Sequence, residues 1–295
     1  VSSELSDGRR RSAYHTDIFI DGDSRQVCLN RLLSQSGAST CFYYDRPSSP
    51  FSLREAMEDS HIILCPVPFT KDGKTIFSEN SLPGLEIQTF TACLKNTHIL
   101  FGGNIPSAVR ERCDLLSIPC HDFMKMEDVA WKNAVATAEG AVAEAISLSP
   151  VNLYRSRCLV TGYGRCAAIL ADRLKGMGAR VTVAGRNASR LVPAHCLGYD
   201  TCLLKELGDV IGESDFIFNT IPSLVLDAAL ANQVQENAAV IDIASAPGGV
   251  DFQALERRNI RARLCPGLPG RCSPLSSALI LYEAVMEHIR DSQTQ

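Results

Sequence analysis

No apolar run in this 295-residue chain approaches the roughly 20 residues needed to cross a bilayer. The opening "VSSELSDGRRRSAYH" has no hydrophobic centre, so it does not read as a secretory signal. Basic residues are slightly outnumbered, 29 against 33 acidic ones. The formal net charge of -4 argues against nucleic acid as a partner, because phosphate binding needs a basic surface. The one dense basic cluster, Arg9-Arg10-Arg11, falls in a polar leader over residues 1–16 that is expected to be disordered. The six histidines are dispersed and none has ligand spacing to a second His or Cys, so no metal is expected. The twelve cysteines include no CxxC pair, and Cys65, Cys158 and Cys202 fall in apolar segments where Cys acts as a small hydrophobe. They read as reduced thiols of a cytoplasmic protein. Nor does any Ser/His/Asp or Cys/His arrangement support a hydrolase.

What the chain does have is size and alternation. Its length suggests two domains, each large enough for its own core. A strand running into a Gly-Asp turn is expected within "DIFIDGDSRQ" (17–26) and further strands at 39–44, 61–67 and 98–103, with helices at "QVCLNRLLSQ" and 106–116 and a short "IPCHDF" after them. An alanine-rich helix follows over about 125–148, and small residues on it let another backbone approach closely. A second series begins at "RCLVTG" (157–162), with further strands at 180–185, 215–220, 239–244 and 261–267. The expected fold is α/β, two doubly wound Rossmann-like domains with parallel sheets. The division reads as a first, substrate or catalytic domain over 17–124, an interdomain helix over 125–150 and a dinucleotide-binding domain over 151–272. A C-terminal helix over 273–295 then returns toward the first domain.

The second series opens with "CLVTGYGRCA". Gly162 permits the tight turn, Gly164 lets the backbone approach a pyrophosphate, and Ala167 lets helix pack on strand. Tyr163, Arg165 and Cys166 complete the turn, whose helix N-terminus favours an anion. About 20 residues on, an NAD site would carry an acid for the ribose. Here "VAGRNASR" has none. Arg186, Asn187 and Arg190 form a cationic, donor-rich pocket instead, which favours NADP(H). Arg190 also reads as an ordinary surface helix residue, leaving Arg186 as the main determinant. Thr220, Ile221 and Pro222 in "NTIPS", Ala244 in "IASAPGG" and the turn "CPGLPG" are expected at the same sheet edge, walling the nicotinamide, although each also reads as loop punctuation.

In order and spacing, "DGDSRQ", "NAVATAEGAV", "GYGRCA", "AGR", "NTIPS", "DIASAPGGVDF" and "PGLPG" resemble the A-subunit family of dipicolinate synthase, found in spore-forming bacteria. The resemblance runs from about Asp17 to about Ile289, although the family pattern has Gly first where this chain has Asp21-Gly22-Asp23. It implies an oxidoreductase on a branch of the lysine pathway. Dihydrodipicolinate, or its 4-hydroxy-tetrahydro precursor, would be oxidised to pyridine-2,6-dicarboxylate during sporulation. It also implies a partner, the flavoprotein-like B-subunit of the same synthase, and a dicarboxylate substrate. A homo-oligomer is left open.

For the substrate side, Arg25 is expected to grip a carboxylate from the interdomain cleft, with a solvated helix arginine as the alternative. Glu139, set among small residues, is the first choice for proton transfer and a structural glutamate the alternative; Thr137 stands beside it. His121 is the one histidine worth testing as an acid or base. Ser245 and Gly267 are expected to line the substrate site, and Asp242 reads as a structural acceptor. Two other readings compete. One is a non-catalytic NADP(H)-binding scaffold or sensor. The other is a two-domain 2-hydroxy-acid dehydrogenase, which would need a His–carboxylate pair after the cofactor domain's later strands, where this chain has only His288.

Overall fold

The strands are short, and most are buried on both faces of their sheet. A computed structural model describes residues 16–20, 22–42, 53–58, 60–79 and 83–294. The leader before Thr16, Asp21 of the first turn, and Tyr43 and Tyr44 at the end of the expected second strand lie outside the described residues. The chain divides into two compact units, residues 1–125 with 281–295 and residues 126–280.

The first unit carries β1 (Thr16–Phe19), β2 (Thr40–Phe42), β3 (Ser60–Leu64), β4 (Ile99–Gly102) and β5 (Cys120–Asp122), all parallel, in the order β2-β1-β3-β4-β5. That is the order of a doubly wound nucleotide-type sheet, reversing between β1 and β3. The helices between strands are α1 (Ser24–Gln35), α2 (Leu53–Glu58), α3 (Ile87–Cys93) and α4 (Ser107–Leu115). Their apolar residues join the strands in one core containing Leu53, Ile63, Phe90, Leu100 and Val109. The short helices α2 and α3 have no counterpart in the sequence reading.

The second unit opens with α5 (Glu127–Leu148), then β6 (Arg157–Thr161), α6 (Arg165–Gly176), β7 (Arg180–Gly185), α7 (Ala188–Cys196) and β8 (Asp200–Leu203). It continues with α8 (Gly208–Ile211), β9 (Phe216–Asn219), α9 (Ala228–Ala231), β10 (Ala239–Asp242), α10 (Phe252–Arg257), β11 (Arg261–Leu264) and α11 (Leu268–Cys272). α12 (Pro274–Thr294) follows, and its residues from Leu281 on belong to the first unit. The sheet order β11-β10-β9-β6-β7-β8 is that of a dinucleotide-binding sheet, with its reversal between β6 and β9. Alternate residues serve opposite faces. Cys158, Val160, Phe216, Phe218, Ala239 and Ile241 point into one core, and Leu159, Ile217 and Val240 into the other.

The alanine-rich helix, expected as a separate crossing element, is an integral layer of the second unit. Ala138, Ala141 and Ala145 are fully buried in the core that β6, β9 and β10 share. Their small side chains are what let α5 lie close to α6.

Candidate functional site

Because every strand of the second sheet is parallel, Thr161, Gly185, Asn219, Asp242 and Leu264 end at one edge. The loops that follow are the ones the sequence singles out. The chain turns out of β6 at Gly162 with φ +93, and a Cβ there would collide with Thr220 Oγ1, so neither conformation nor space admits a side chain. Thr220 Oγ1 is itself held in place, donating to the Thr161 carbonyl at 2.8 Å. Gly164 is different: a Cβ built there meets nothing within 4 Å, and no side chain caps the α6 N-terminus it begins. An open glycine before a 12-residue helix with uncapped first-turn N–H groups is a cradle that fits a pyrophosphate. Ala167 is fully buried beneath it, Cys166 is half-buried and Arg165 exposed. Tyr163 packs partly buried against the core, which pushes its phenol up.

At the end of β7, Arg186 is exposed and donates to Ser223 Oγ at 2.8 Å, bridging to the "NTIPS" loop. Asn187 is the N-cap of α7, its side chain accepting from Ser189 N at 2.8 Å, so its amide oxygen has a helix to serve. Arg190 is exposed one turn along. The Arg186 guanidinium therefore stands exposed at the end of β7, with no carboxylate on that strand end beside it.

A side-chain network not read from the sequence ties three of these loops together. Thr161 Oγ1 donates to Asn219 Oδ1 at 2.6 Å, and Asn219 Nδ2 donates to the Ile221 carbonyl at 3.0 Å and to Asp242 Oδ1 at 2.8 Å. Asp242, wholly buried, also accepts from Ala244 N at 3.0 Å and Gly249 N at 2.8 Å. Asp242 is thus the structural acceptor expected of it. Gly249 has to be glycine on grounds of space, since a Cβ would lie 2.5 Å from the Ile221 carbonyl and 2.6 Å from that of Ser223. Ile221 is half-buried and Pro222 exposed on one side of this wall, and Ala244 is buried at its base. Ser245 and Gly267 are exposed on the same edge, Gly267 in the left-handed region as N-cap of α11.

The substrate-side expectations fare less evenly. Arg25 is not free to grip a ligand. It is buried, its guanidinium forks onto Asp23 with bonds of 2.9 and 2.6 Å, and it donates to the Val67 carbonyl. Asp23 is the N-cap of α1, so the pair locks a helix start to the loop after β3. Glu139 is exposed and its partner is Arg173 of α6, 3.7 Å away. It lacks the burial that tunes a carboxylate for proton transfer. The buried glutamate of α5 is Glu144, which receives Arg263 and Arg271 and is held below the usual carboxylate range, first by its hydrogen bond from Arg263. It pins α5 to β11 and α11. Thr137 spends its hydroxyl proton on the Asn133 carbonyl at 3.0 Å. His121 lies in the first unit, stacked on Phe101 at 4.7 Å between ring centroids with the His288 ring edge-on at 4.3 Å. Burial, and then the neighbouring His288, pull His121 down to about 4, so it is neutral at physiological pH. Among the described residues no group of three or more metal-ligating side chains comes together, and no helix is long and apolar enough to cross a membrane.

Comparison with known proteins adds four findings. The family model of the N-terminal domain of the dipicolinate synthase A-subunit matches residues 18–124. The dipicolinate synthase A-subunit of Bacillus subtilis (strain 168) is 30% identical over 173 residues, 59% of this chain and 58% of that protein, so the match spans less than two thirds of the relative's length. The crystal structure of the dipicolinate synthase A-subunit from Bacillus halodurans superposes with a TM-score of 0.81 at 25% identity, covering 92% of this chain and 97% of that one. D-lactate dehydrogenase from Escherichia coli shares the fold alone, with a TM-score of 0.68 at 14% identity over 95% of this chain and 97% of its own.

Proposed function

We propose that the chain belongs to the A-subunit family of dipicolinate synthase and is an NADP(H)-dependent oxidoreductase forming dipicolinate. Its substrate is dihydrodipicolinate or the hydrated 4-hydroxy-tetrahydro form. One observation carries the reading: a bare Gly164 cradle at the sheet reversal and an exposed Arg186 at the next strand end lie on one sheet edge.

In this reading the α6 N-terminus holds the pyrophosphate through backbone N–H groups, and Arg186 with Asn187 and Arg190 takes the 2'-phosphate. The bound nicotinamide supplies the hydride acceptor. The Thr161–Asn219–Asp242 network keeps Thr220, Ile221 and Ala244 from moving, which preorganises the wall where the ring lies. Ser245 and Gly267, on the same edge, present donors for a substrate carboxylate. Oxidation removes a hydride and a proton from the dihydro ring and leaves an aromatic pyridine, the hydrated form losing a water as well, so the reaction runs downhill and positioning is the larger part of catalysis. The relatives are named as one component of a synthase, which implies another. A flavin-type B-subunit is the partner of this reading, in the cytoplasm of a sporulating cell.

A turnover assay tests it: purified chain, NADP, and hydroxytetrahydrodipicolinate generated in place, with NAD in a parallel tube. NADPH and pyridine dicarboxylate forming together, and much less with NAD, is the expected result. Product only after a flavin-type partner is added makes the chain one obligate half of a two-part enzyme. No product in either case, with NADPH still bound tightly, overturns catalysis in favour of a nucleotide-binding scaffold, a reading to which the occupied Arg25 and exposed Glu139 lend weight.

A further inference from the structure

The nucleotide turn has an anionic neighbour outside the sheet. Arg165, the first residue of α6, places its guanidinium 2.6 Å from Oε2 of Glu127, the first residue of α5. The other carboxylate oxygen, Oε1, accepts the indole N–H of Trp131 at 2.9 Å, one turn along α5. Trp131 is the chain's single tryptophan. All three side chains are open to solvent, at 42% for Arg165, 70% for Glu127 and 42% for Trp131.

Position makes this more than a surface ion pair. Arg165 is rooted at the uncapped N–H groups of α6, which favour an anion, next to the open space at Gly164. A planar guanidinium binds phosphate oxygens bidentately, and a pyrophosphate offers more negative charge than one carboxylate. The pair it would leave is exposed, loosely held and screened by salt. Two anions therefore have claims on one cation, and the weaker claim is the internal one.

We propose that Glu127 is a positioning residue of the nucleotide site: it competes with the dinucleotide pyrophosphate for Arg165, lowering nucleotide affinity, and Trp131 registers the exchange. The inference rests on the nucleotide reading above. As Arg165 turns to the phosphate, Glu127 loses its cation and the indole N–H keeps or loses its acceptor with it, so the emission of the one tryptophan follows occupancy.

The probe is 2'-phospho-ADP-ribose, which has the pyrophosphate and 2'-phosphate but no nicotinamide to quench an indole. Binding is read by calorimetry and by tryptophan emission in the full-length chain and in its Glu127→Gln, Arg165→Met and doubly substituted forms. The proposal expects emission to change along the binding isotherm of the unsubstituted chain. Glu127→Gln should tighten binding about two- to fivefold, with the emission change reduced. In the Arg165→Met background the same Glu127→Gln change should leave affinity where it is. Equal affinity of the unsubstituted and Glu127→Gln proteins overturns the proposal. So does an undiminished gain in the Arg165→Met background, which would make Glu127 a general repulsive charge. If the probe binds to none of the four proteins, the nucleotide reading falls, and this inference with it.

Discussion

Asn219 and Asp242 are register partners at the ends of neighbouring strands, and the Asn219 amide donates to the Asp242 carboxylate across 2.8 Å. Each is almost or wholly buried, and each also serves the loop beyond its own strand. Backbone pairing of β9 with β10 thus continues as side-chain pairing past the point where the sheet stops. The wall of the proposed site is an extension of the sheet rather than a set of independent loops.

Asp242→Ala should therefore do more than remove a contact. It leaves Asn219 Nδ2, Ala244 N and Gly249 N without their buried acceptor. A loss of about 3 kcal/mol or more is expected, since each stranded buried donor costs on the order of 1–3 kcal/mol. Urea unfolding reads it, with Asp242→Asn expected to lose less because one acceptor oxygen stays.

Arg186→Ala should weaken NADP(H) by about tenfold or more while leaving NAD(H) little changed, because a charged hydrogen bond to phosphate contributes about 1.5–3 kcal/mol. Isothermal titration with both nucleotides makes the comparison. Arg186→Asp should go further and reverse the preference, since a carboxylate at that strand end suits ribose hydroxyls and repels a 2'-phosphate. Equal loss for both nucleotides would remove Arg186 from the phosphate pocket.

Acid should weaken the first unit through His121. An unfolded chain titrates histidine near the ordinary value of about 6.5, whereas burial and His288 lower it to about 4 in the fold. The folded form resists the proton that the unfolded form takes. His121's contribution is complete above the unfolded value and drains away as pH falls toward the folded one, for at most about 3 kcal/mol, reduced by solvent screening at a partly exposed ring. Urea midpoints at about pH 7.5 and about pH 5 show the slope, and His121→Phe, which can still stack on Phe101, should flatten it. His98, whose ring is buried and also lowered, first by burial, keeps part of the slope in that variant.

Glu139→Gln should leave turnover within about twofold and stability within about 1 kcal/mol, as an exposed pair with Arg173 is worth little. A large drop in kcat with folding intact would restore Glu139 as a proton carrier.

Thiol labelling should follow burial. Cys196 and Cys272 are exposed and should alkylate first under native conditions, while Cys65, Cys113 and Cys158 wait for unfolding. Burial pushes the Cys65 thiol up and that of Cys158 to about 12, so neither offers thiolate near neutral pH. Peptide mass mapping after a short iodoacetamide pulse ranks them.

Much of this fold was legible because buried parallel strands advertise themselves: "RCLVTG", "RVTVAG", "DFIFNT" and "AVIDIA" each contain an observed strand. β8 was missed since an edge strand needs no apolar run, and Asp200–Leu203 has no fully buried residue. The glycine turn was readable as local chemistry, one strand, one turn and one helix in sequence. The contacts of Arg25 with Val67 and of Asn219 with Asp242 were not, because those partners stand 42 and 23 residues further along the chain. Small neighbours misdirected attention to Glu139. They mark where α5 is packed, and the glutamate buried with them is Glu144, whose two arginines lie 119 and 127 residues away.

The division of the chain also bears on the order in which it is made. Residues 126–280 are contiguous, so that unit has all its parts once they have left the ribosome. The other unit begins emerging first yet takes in residues 281–295, including the His288 ring that meets His121 and Phe101. Of the two units, the one that starts first is therefore completed last, and until then Phe101 of β4 and His121 of β5 wait for a helix that translation has not reached.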